Sequence, residues 1–434
     1  MRRILIITTN FFPYPAVGSV RVTNWARMLP DVGWRPVIAC RDYGYRASRE
    51  LLDREVHPDA LVYQIDSSGA RVEMPGTGDG VAPAKKPAGA KHSLPARAKR
   101  AAALAVNKFV VPDGQRLFWS RAMPELRRIA AEVRPDVILS SSPPHSVHFA
   151  GMRLTAETGL PWIADYRDPH LLDERFQPAG LAKLAWPAHR AFERRVYERA
   201  DAVLHAIPVQ ARWARMAYPS ARGRIVELCH AAPTRAMETL SPDRAAPGTL
   251  SVRAVGTIGD QPALELARAV RALRDAGRAV ELRLVGSNPV TLPAIRETLG
   301  DALVVTGRLR HDLAQRQIAG ADLLVSFLSP ERAELALVSS KLFEFVSART
   351  PIVHVNPSSP DRHLAHQLPP TVRCLRRPSQ TELVAALEWG LSEQTRDAAR
   401  DPDHMERFAA RFGWDAHARA LADALDRATA GSGG

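Results

Sequence analysis

The chain has 434 residues, 46% hydrophobic and 24% charged, a globular composition with length for two or three domains. No run of 18 apolar residues occurs, so no membrane-spanning helix is expected. Three distant cysteines (Cys40, Cys229, Cys374) give neither a disulfide framework nor a zinc spacing, and point to a reducing cytoplasm. The net charge of +13 is concentrated in residues 1–130. Between Asp79 and Asp113 there is no acidic residue, but there are Lys85, Lys86, Lys91, Arg97, Lys99, Arg100 and Lys108. Such an interval favours an anionic partner such as a membrane surface. It lacks interleaved aromatics until Phe109 and matches no nucleic-acid module, so nucleic acid is not the expected partner.

The first apolar run, Ile4–Ile7, is too short for a signal-peptide core and reads as a buried parallel strand. The loop Asn10-Phe11-Phe12-Pro13-Tyr14-Pro15-Ala16-Val17-Gly18-Ser19-Val20-Arg21 leads from it into a helix, and Gly18 permits close backbone approach to a ligand. Helical patterns at Val22–Leu29, Met123–Val133 and Leu184–Arg199 alternate with short apolar runs at 37–39, 137–139, 161–164 and 202–204. This alternation predicts a parallel sheet with helices on both faces. Residues 67–100, rich in Gly, Ala, Pro and Lys, read as a basic loop insertion.

Two blocks follow apolar runs, where ligands of open α/β sheets sit. The first is Ser140-Ser141-Ser142-Pro143-Pro144-His145-Ser146-Val147-His148. Its two histidines stand at a metal-compatible spacing, with no third ligand nearby in sequence. The second, Pro161-Trp162-Ile163-Ala164-Asp165-Tyr166-Arg167-Asp168-Pro169, places three charged residues within four at a strand end, which points to a site.

Turn signals without periodicity mark a seam at 234–250, and a second alternating series runs through 252–255, 282–285, 303–305, 323–327 and 352–355. The predicted organisation is a first Rossmann-like domain at 1–233, a linker at 234–250, a second domain at 251–404, and a C-terminal helix of about 405–427 within 405–434. Near the end of the second series, Ser339-Ser340-Lys341-Leu342-Phe343-Glu344-Phe345-Val346-Ser347-Ala348-Arg349-Thr350-Pro351-Ile352-Val353 reads as a helix running into a buried strand. A helix start suits a diphosphate, and Glu344 one turn on can accept hydrogen bonds from two vicinal hydroxyls of a ribose.

This last stretch resembles the nucleotide-sugar signature of the retaining glycosyltransferases of family 4, in the bacterial polysaccharide form G/S-K-L-F-E-Y-hydrophobic-A-x-x-P-I. The Ser140 and Pro161 blocks resemble that form's S-S-P-P-H-S and P-W-I-A-D-F-R-D-P-W. The N-terminal loop keeps Pro13, Gly18 and Arg21 of P-P-x-x-G-x-x-x-x-R. The resemblance implies the GT-B fold: two doubly wound Rossmann-like α/β domains with a cleft between them, and a final helix crossing back to the first. It implies a donor set of Gly18, Gly256, Thr257, Gly286, Gly307, Arg308, Ser340, Lys341, Leu342 and Glu344. Arg21, Ser142 and His145 would meet the acceptor, and Arg167 and Asp168 would be catalytic.

The implied reaction moves a sugar from a UDP- or GDP-sugar to a hydroxyl acceptor with retention and without a metal. The acceptor is lipid-linked or soluble, in cell-surface polysaccharide, glycolipid or secondary-metabolite synthesis. The enzyme would be cytoplasmic, or peripheral on an anionic membrane through residues 85–108. A sugar-nucleotide 2-epimerase of similar fold and a non-catalytic nucleotide-sugar binder are the alternatives. Three positions depart from the family pattern: Ala336 stands where many members have a sugar-contacting Glu, Asp260-Gln261-Pro262 stands where a basic residue is usual, and Ile225–His230 replaces an Asn-Gly turn.

Overall fold

A computed structural model describes residues 1–14, 16–72, 82–83, 110–171, 180–232, 241–286, 288–307, 309, 311–328, 340–356 and 367–431. The basic interval 85–108, Arg308 and Ala336 lie outside them. The chain divides into two compact units, Met1–Cys229 with His417–Gly434, and His230–Ala416.

The first unit is built on an eight-stranded sheet. Its strands are β1 (Arg2–Thr8), β2 (Trp34–Arg41), β3 (Leu61–Ile65), β4 (Arg71–Val72), β5 (Val137–Ser142), β6 (Trp162–Tyr166), β7 (Ala202–His205) and β8 (Ile225–Glu227). Their spatial order is β8-β7-β6-β5-β1-β2-β3-β4, parallel except for β4. Ile4 to Ile7 are fully buried, as expected of a strand covered on both faces. Helices α1 (Val17–Met28), α2 (Arg116–Val133), α3 (Val147–Thr158) and α4 (Trp186–Arg199) are the principal crossovers. α2 contributes Met123, Leu126, Ile129 and Val133 to the core, and α3 contributes Val147, Ala150 and Leu154, all at helical spacing. The chain moves outward from β1 through β2 and β3, then returns to β5 on the other side of β1. The loops after β1 and β5 therefore part company, and the crevice they leave is where an open sheet binds ligands.

The second unit has a fully parallel sheet. Its strands are β9 (Leu250–Val255), β10 (Val280–Val285), β11 (Leu303–Gly307), β12 (Leu323–Phe327), β13 (Ile352–Val355) and β14 (Val372–Leu375), in the order β11-β10-β9-β12-β13-β14. Here the order reverses between β9 and β12. Helix α5 (Asp260–Asp275) buries Ala263, Leu266, Ala267, Val270 and Leu273, a stripe at 3.6-residue spacing. Helix α6 (Ser340–Val346) buries Leu342, Phe343, Phe345 and Val346.

The single C-terminal helix expected from the sequence is two helices, α7 (Pro402–Phe412) and α8 (Trp414–Ala430). Gly413 separates them in an extended conformation, and its neighbour Phe412 accepts a hydrogen bond from the Ala232 amide at 2.7 Å. From His417 onward α8 belongs to the first unit. Trp25 Nε1 donates to His417 Nε2 at 2.8 Å, Trp34 Nε1 donates to Asp426 at 3.0 Å, and Leu421 and Leu425 are buried. No helix among the described residues is long and apolar enough to cross a membrane.

Candidate active site

In the first unit the candidate residues gather at the carboxyl ends of β1, β5 and β6. Asp165, on β6, is fully buried and paired with Arg21 of α1: Arg21 Nη2 donates to Oδ1 at 2.9 Å and Nε to Oδ2 at 3.3 Å. Ser141 Oγ adds a third bond to the same carboxylate at 2.7 Å. Arg21 also donates to the carbonyls of Leu228 and Cys229, at 3.0 and 3.3 Å. It therefore ties α1, β6 and the segment after β8 together, and only 4% of it is exposed.

Arg167 is buried in a comparable way. Nε donates to the carbonyl of Ser142 at 2.7 Å, Nη2 to that of Pro143 at 2.8 Å, and Nη1 to that of Gly18. A Cβ at position 18 would stand 2.6 Å from Arg167 Nη1, so the glycine is needed for the guanidinium to lie there. Burial lowers the Arg167 pKa, while Asp165 and Asp168 oppose the shift. Asp168 is half-buried next in sequence, with Arg167 as an electrostatic neighbour.

The serine block lies differently from its sequence reading. β5 runs on to Ser142, and all three hydroxyls turn inward. Ser140 Oγ accepts from Trp162 Nε1 at 2.8 Å and shares a 2.8 Å bond with His148 Nδ1. Ser142 Oγ donates to the carbonyl of Asp165 at 3.2 Å. The central position of β5, between β1 and β6, leaves its polar groups to find partners within the protein.

His145 is fully buried, its ring centroid 4.7 Å from that of His170 and 5.6 Å from that of Tyr166. It belongs to a cluster of buried rings that the sequence reading missed: His148, Tyr166, His170, His189, Tyr197 and His205, with Glu193 alongside. Tyr197 Oη and His205 Nε2 are 2.9 Å apart. Tyr166 stacks on Tyr197 and His205 at centroid distances of 5.7 and 5.6 Å. Burial pushes His170 and His205 down to about 3, and His148 well below its ordinary value. Glu193, whose Oε2 is 3.7 Å from His170 Nδ1, is pushed up to about 8 by the same cause. At neutral pH this pair is a neutral acid beside a neutral imidazole. The sequence signal for the cluster was density: five of the 14 histidines fall between 145 and 205. Among the described residues no three His, Cys, Asp or Glu side chains converge as metal ligands.

In the second unit the site is made of backbone. Gly256, Gly286 and Gly307 close β9, β10 and β11 with φ of 94°, 83° and 64°, a region that favours glycine. Their turns are linked, since the Gly256 amide donates to Val285 at 2.7 Å and the Gly286 amide to Gly307 at 2.8 Å. Lys341, in the first turn of α6, crosses Gly256 so closely that a Cβ there would be 2.0 Å from Nζ. Thr257 is exposed, Glu344 is half-buried and Leu342 is core. The structure thus joins Gly256, Gly286, Gly307 and Lys341. Ser340 begins α6. Asp260, where a cation is usual, accepts from the amides of Val290 and Thr291 at 2.5 and 3.4 Å and pins the loop before them.

Residues 18–229 match the family of glycosyl transferase 4-like domains. The matched stretch ends at Cys229, the last residue of the first unit's N-terminal segment. No curated protein sequence matches the chain. Among solved structures, sucrose-phosphate synthase from Thermosynechococcus elongatus is similar at 15% identity and a TM-score of 0.64, with 98% of each chain covered. HepE of Anabaena, solved with UDP and glucose, is similar at 11% identity and 0.60, covering 98% of this chain and 100% of its own. WaaG, a glycosyltransferase involved in lipopolysaccharide biosynthesis, is similar at 14% and 0.55, covering 99% and 100%. At these identities the likeness establishes the fold, and the two parallel-sheet α/β units are those of the GT-B class.

Proposed function

We propose that the protein is a nucleotide-sugar-dependent glycosyltransferase that moves a hexosyl group to a hydroxyl acceptor with retention of configuration. The observation that carries this reading is the cradle of the second unit, with Lys341 lying across Gly256 beside the turns of Gly286 and Gly307. A lysine ammonium lying over strand ends that carry no side chain suits a diphosphate, and a Cβ at Gly256 would run into that lysine. Glu344 would then hold the ribose hydroxyls, Thr257 would border the diphosphate, and Arg308 would border the base. HepE of Anabaena was solved with UDP and with UDP-glucose, which favours a UDP-sugar as donor.

In this reading the bond from the anomeric carbon to the diphosphate oxygen breaks, and the acceptor oxygen bonds the same face. The acceptor proton passes to the departing diphosphate. Asp168 orients the acceptor hydroxyl, and the reaction needs no metal. Arg167, with three nitrogens on backbone carbonyls, acts by fixing the Gly18 and Ser142–Pro143 loops against each other. Ser142 and His145, both buried, support the acceptor loop from beneath. Cell-surface polysaccharide or glycolipid synthesis fits this chemistry, as does attachment of residues 85–108 to an anionic membrane.

A thermal-shift and hydrolysis screen against UDP-, GDP-, dTDP- and ADP-sugars tests the donor. A ligand at a hundred times its Kd stabilises the native state by about 2.7 kcal/mol. No stabilisation by any of the four rejects nucleotide-sugar dependence. An inverted anomer in the NMR spectrum of the product rejects retention, and loss of activity with EDTA rejects the metal-free scheme.

A further inference from the structure

A cavity of about 410 Å3 lies within the first unit. Its walls come from the end of β2 (Arg41), the start of α2 (Gln115, Leu117, Phe118, Arg121) and Pro144 in the loop after β5. The pocket therefore occupies the carboxyl side of the sheet, where α/β domains take ligands.

Its polar chemistry is cationic and held in place. Arg41 Nη1 donates to Gln115 Oε1, and the guanidinium lies 4.8 Å from the ring of Phe118 and 5.0 Å from that of Tyr43. Arg41 Nε is buried and has no hydrogen-bond partner. Arg121 is exposed and, like Arg41, forms no ion pair among the described residues. The one carboxylate in the wall, Asp113, is already engaged. It accepts from Ser146 Oγ at 2.7 Å and from the amides of Ser146 and Gln115 at 3.0 Å. Those bonds anchor the cavity to the 143–146 loop. Beside the two cations, Leu117 is 47% exposed, and Phe118 and Pro144 complete an apolar wall. No side chain caps the first turn of α2, and that turn holds no acidic residue.

We propose that this pocket binds a phosphate or diphosphate group carried by the acceptor next to an apolar moiety. Two guanidiniums on one cavity match a multiply charged oxyanion, which planar bidentate donors recognise best. The wall of Leu117, Phe118 and Pro144 then covers the adjoining carbon chain. This inference rests on the glycosyl-transfer reading only in assigning the phosphate to the acceptor; the binding itself does not. The phosphate has two possible sources, a lipid-linked acceptor or a soluble sugar phosphate.

The test uses the full chain and isothermal titration with geranyl diphosphate and with glucose 1-phosphate, each repeated in the presence of saturating UDP. Saturable binding of either probe is expected, surviving UDP. Arg121→Glu should weaken it by about tenfold to a hundredfold, and Arg121→Ala, at an exposed site, by less. Binding of geranyl diphosphate alone assigns a lipid-linked acceptor, and binding of glucose 1-phosphate alone a soluble one. Either result supports the pocket. If neither probe binds, if UDP displaces it, or if Arg121→Glu leaves its affinity unchanged, the proposal is overturned. Failure of every nucleotide to bind, with probe binding still sensitive to Arg121, would remove the glycosyl-transfer reading and leave the pocket standing.

Discussion

At the end of β6 the Asp165 carboxylate is buried under three side-chain hydrogen bonds, whereas at the end of β9 Gly256 has no side chain and Lys341 crosses its backbone. Both places are carboxyl ends of parallel strands; β9 borders the reversal of strand order in its sheet, and β6 lies one strand from the reversal in its own. In the first unit, charge and imidazole are spent inside the protein to fix loops. In the second, glycines leave the strand ends without side chains, and amide-to-carbonyl hydrogen bonds join their turns. A buried polar framework fixes shape but is sensitive to protonation and truncation. A glycine cradle adds little stability and should answer mainly in binding.

The largest expected difference is in acid. His148, His170 and His205 stay neutral in the folded first unit well below 6.5, where the unfolded chain takes up protons. Their contribution is complete above about pH 6.5 and is lost as pH falls toward 3. Glu193 acts oppositely: its contribution is complete below about 4.5 and lost as pH rises through 8. Three groups outweigh one between 4.5 and 6.5, so urea denaturation should show stability falling there by on the order of 1–3 kcal/mol per pH unit. Above 6.5 only Glu193 of these four acts, so a maximum near 6.5 is expected, with Glu193→Gln flattening the alkaline side. A stability curve level from pH 4.5 to 6.5 would contradict the neutral cluster.

Next comes the ion pair. Asp165→Ala strands the Arg21 guanidinium in the interior and should remove about 3–5 kcal/mol. The double change Arg21→Met with Asp165→Leu should restore most of that loss, which separates burial of an unpaired charge from loss of a specific contact. Equal destabilisation by the single and double variants would rule out that explanation.

In the second unit the response should shift to binding. Glu344→Ala is expected to weaken UDP binding by about tenfold to a hundredfold, or about 1.5–3 kcal/mol, with little change in the urea midpoint. Unaltered affinity would withdraw Glu344 from the ribose. The smallest effect is a control. Ser379 and Glu382 form a reciprocal capping box at the helix Gln380–Leu391, so Ser379→Ala should cost about 1 kcal/mol of stability and leave UDP affinity unchanged.

The strands were the most legible part of the sequence. Ile4–Ile7, Val137–Leu139 and Leu323–Phe327 are short apolar runs because both faces of those strands are covered, and that pattern survives without knowledge of neighbours. Leu61–Ile65 was missed because Tyr63 and Gln64 interrupt its apolar pattern, and its partial burial gives no clean alternation. The candidate site was legible as a set of loops but not as roles. Arg21, Arg167, Ser142 and His145 read as ligand-facing groups, and each is buried in the first unit. An arginine that clamps carbonyls and one that grips phosphate have the same local sequence; only the atoms opposite them differ.

The sequence by itself determined two doubly wound units, their strand ends, and the glycines and lysine of the second cradle. These depend on periodicity and on backbone freedom, which are local properties. Tertiary structure decided that Asp165 meets Arg21 across 144 positions, that five histidines share one interior, and that Arg41 and Arg121 face one cavity. It also ended one helix at Gly413 and returned the next to the first unit. These are contacts between residues far apart in the chain. Whether a polar group there serves a ligand or the interior depends on which partners the packed sheet brings within hydrogen-bonding distance.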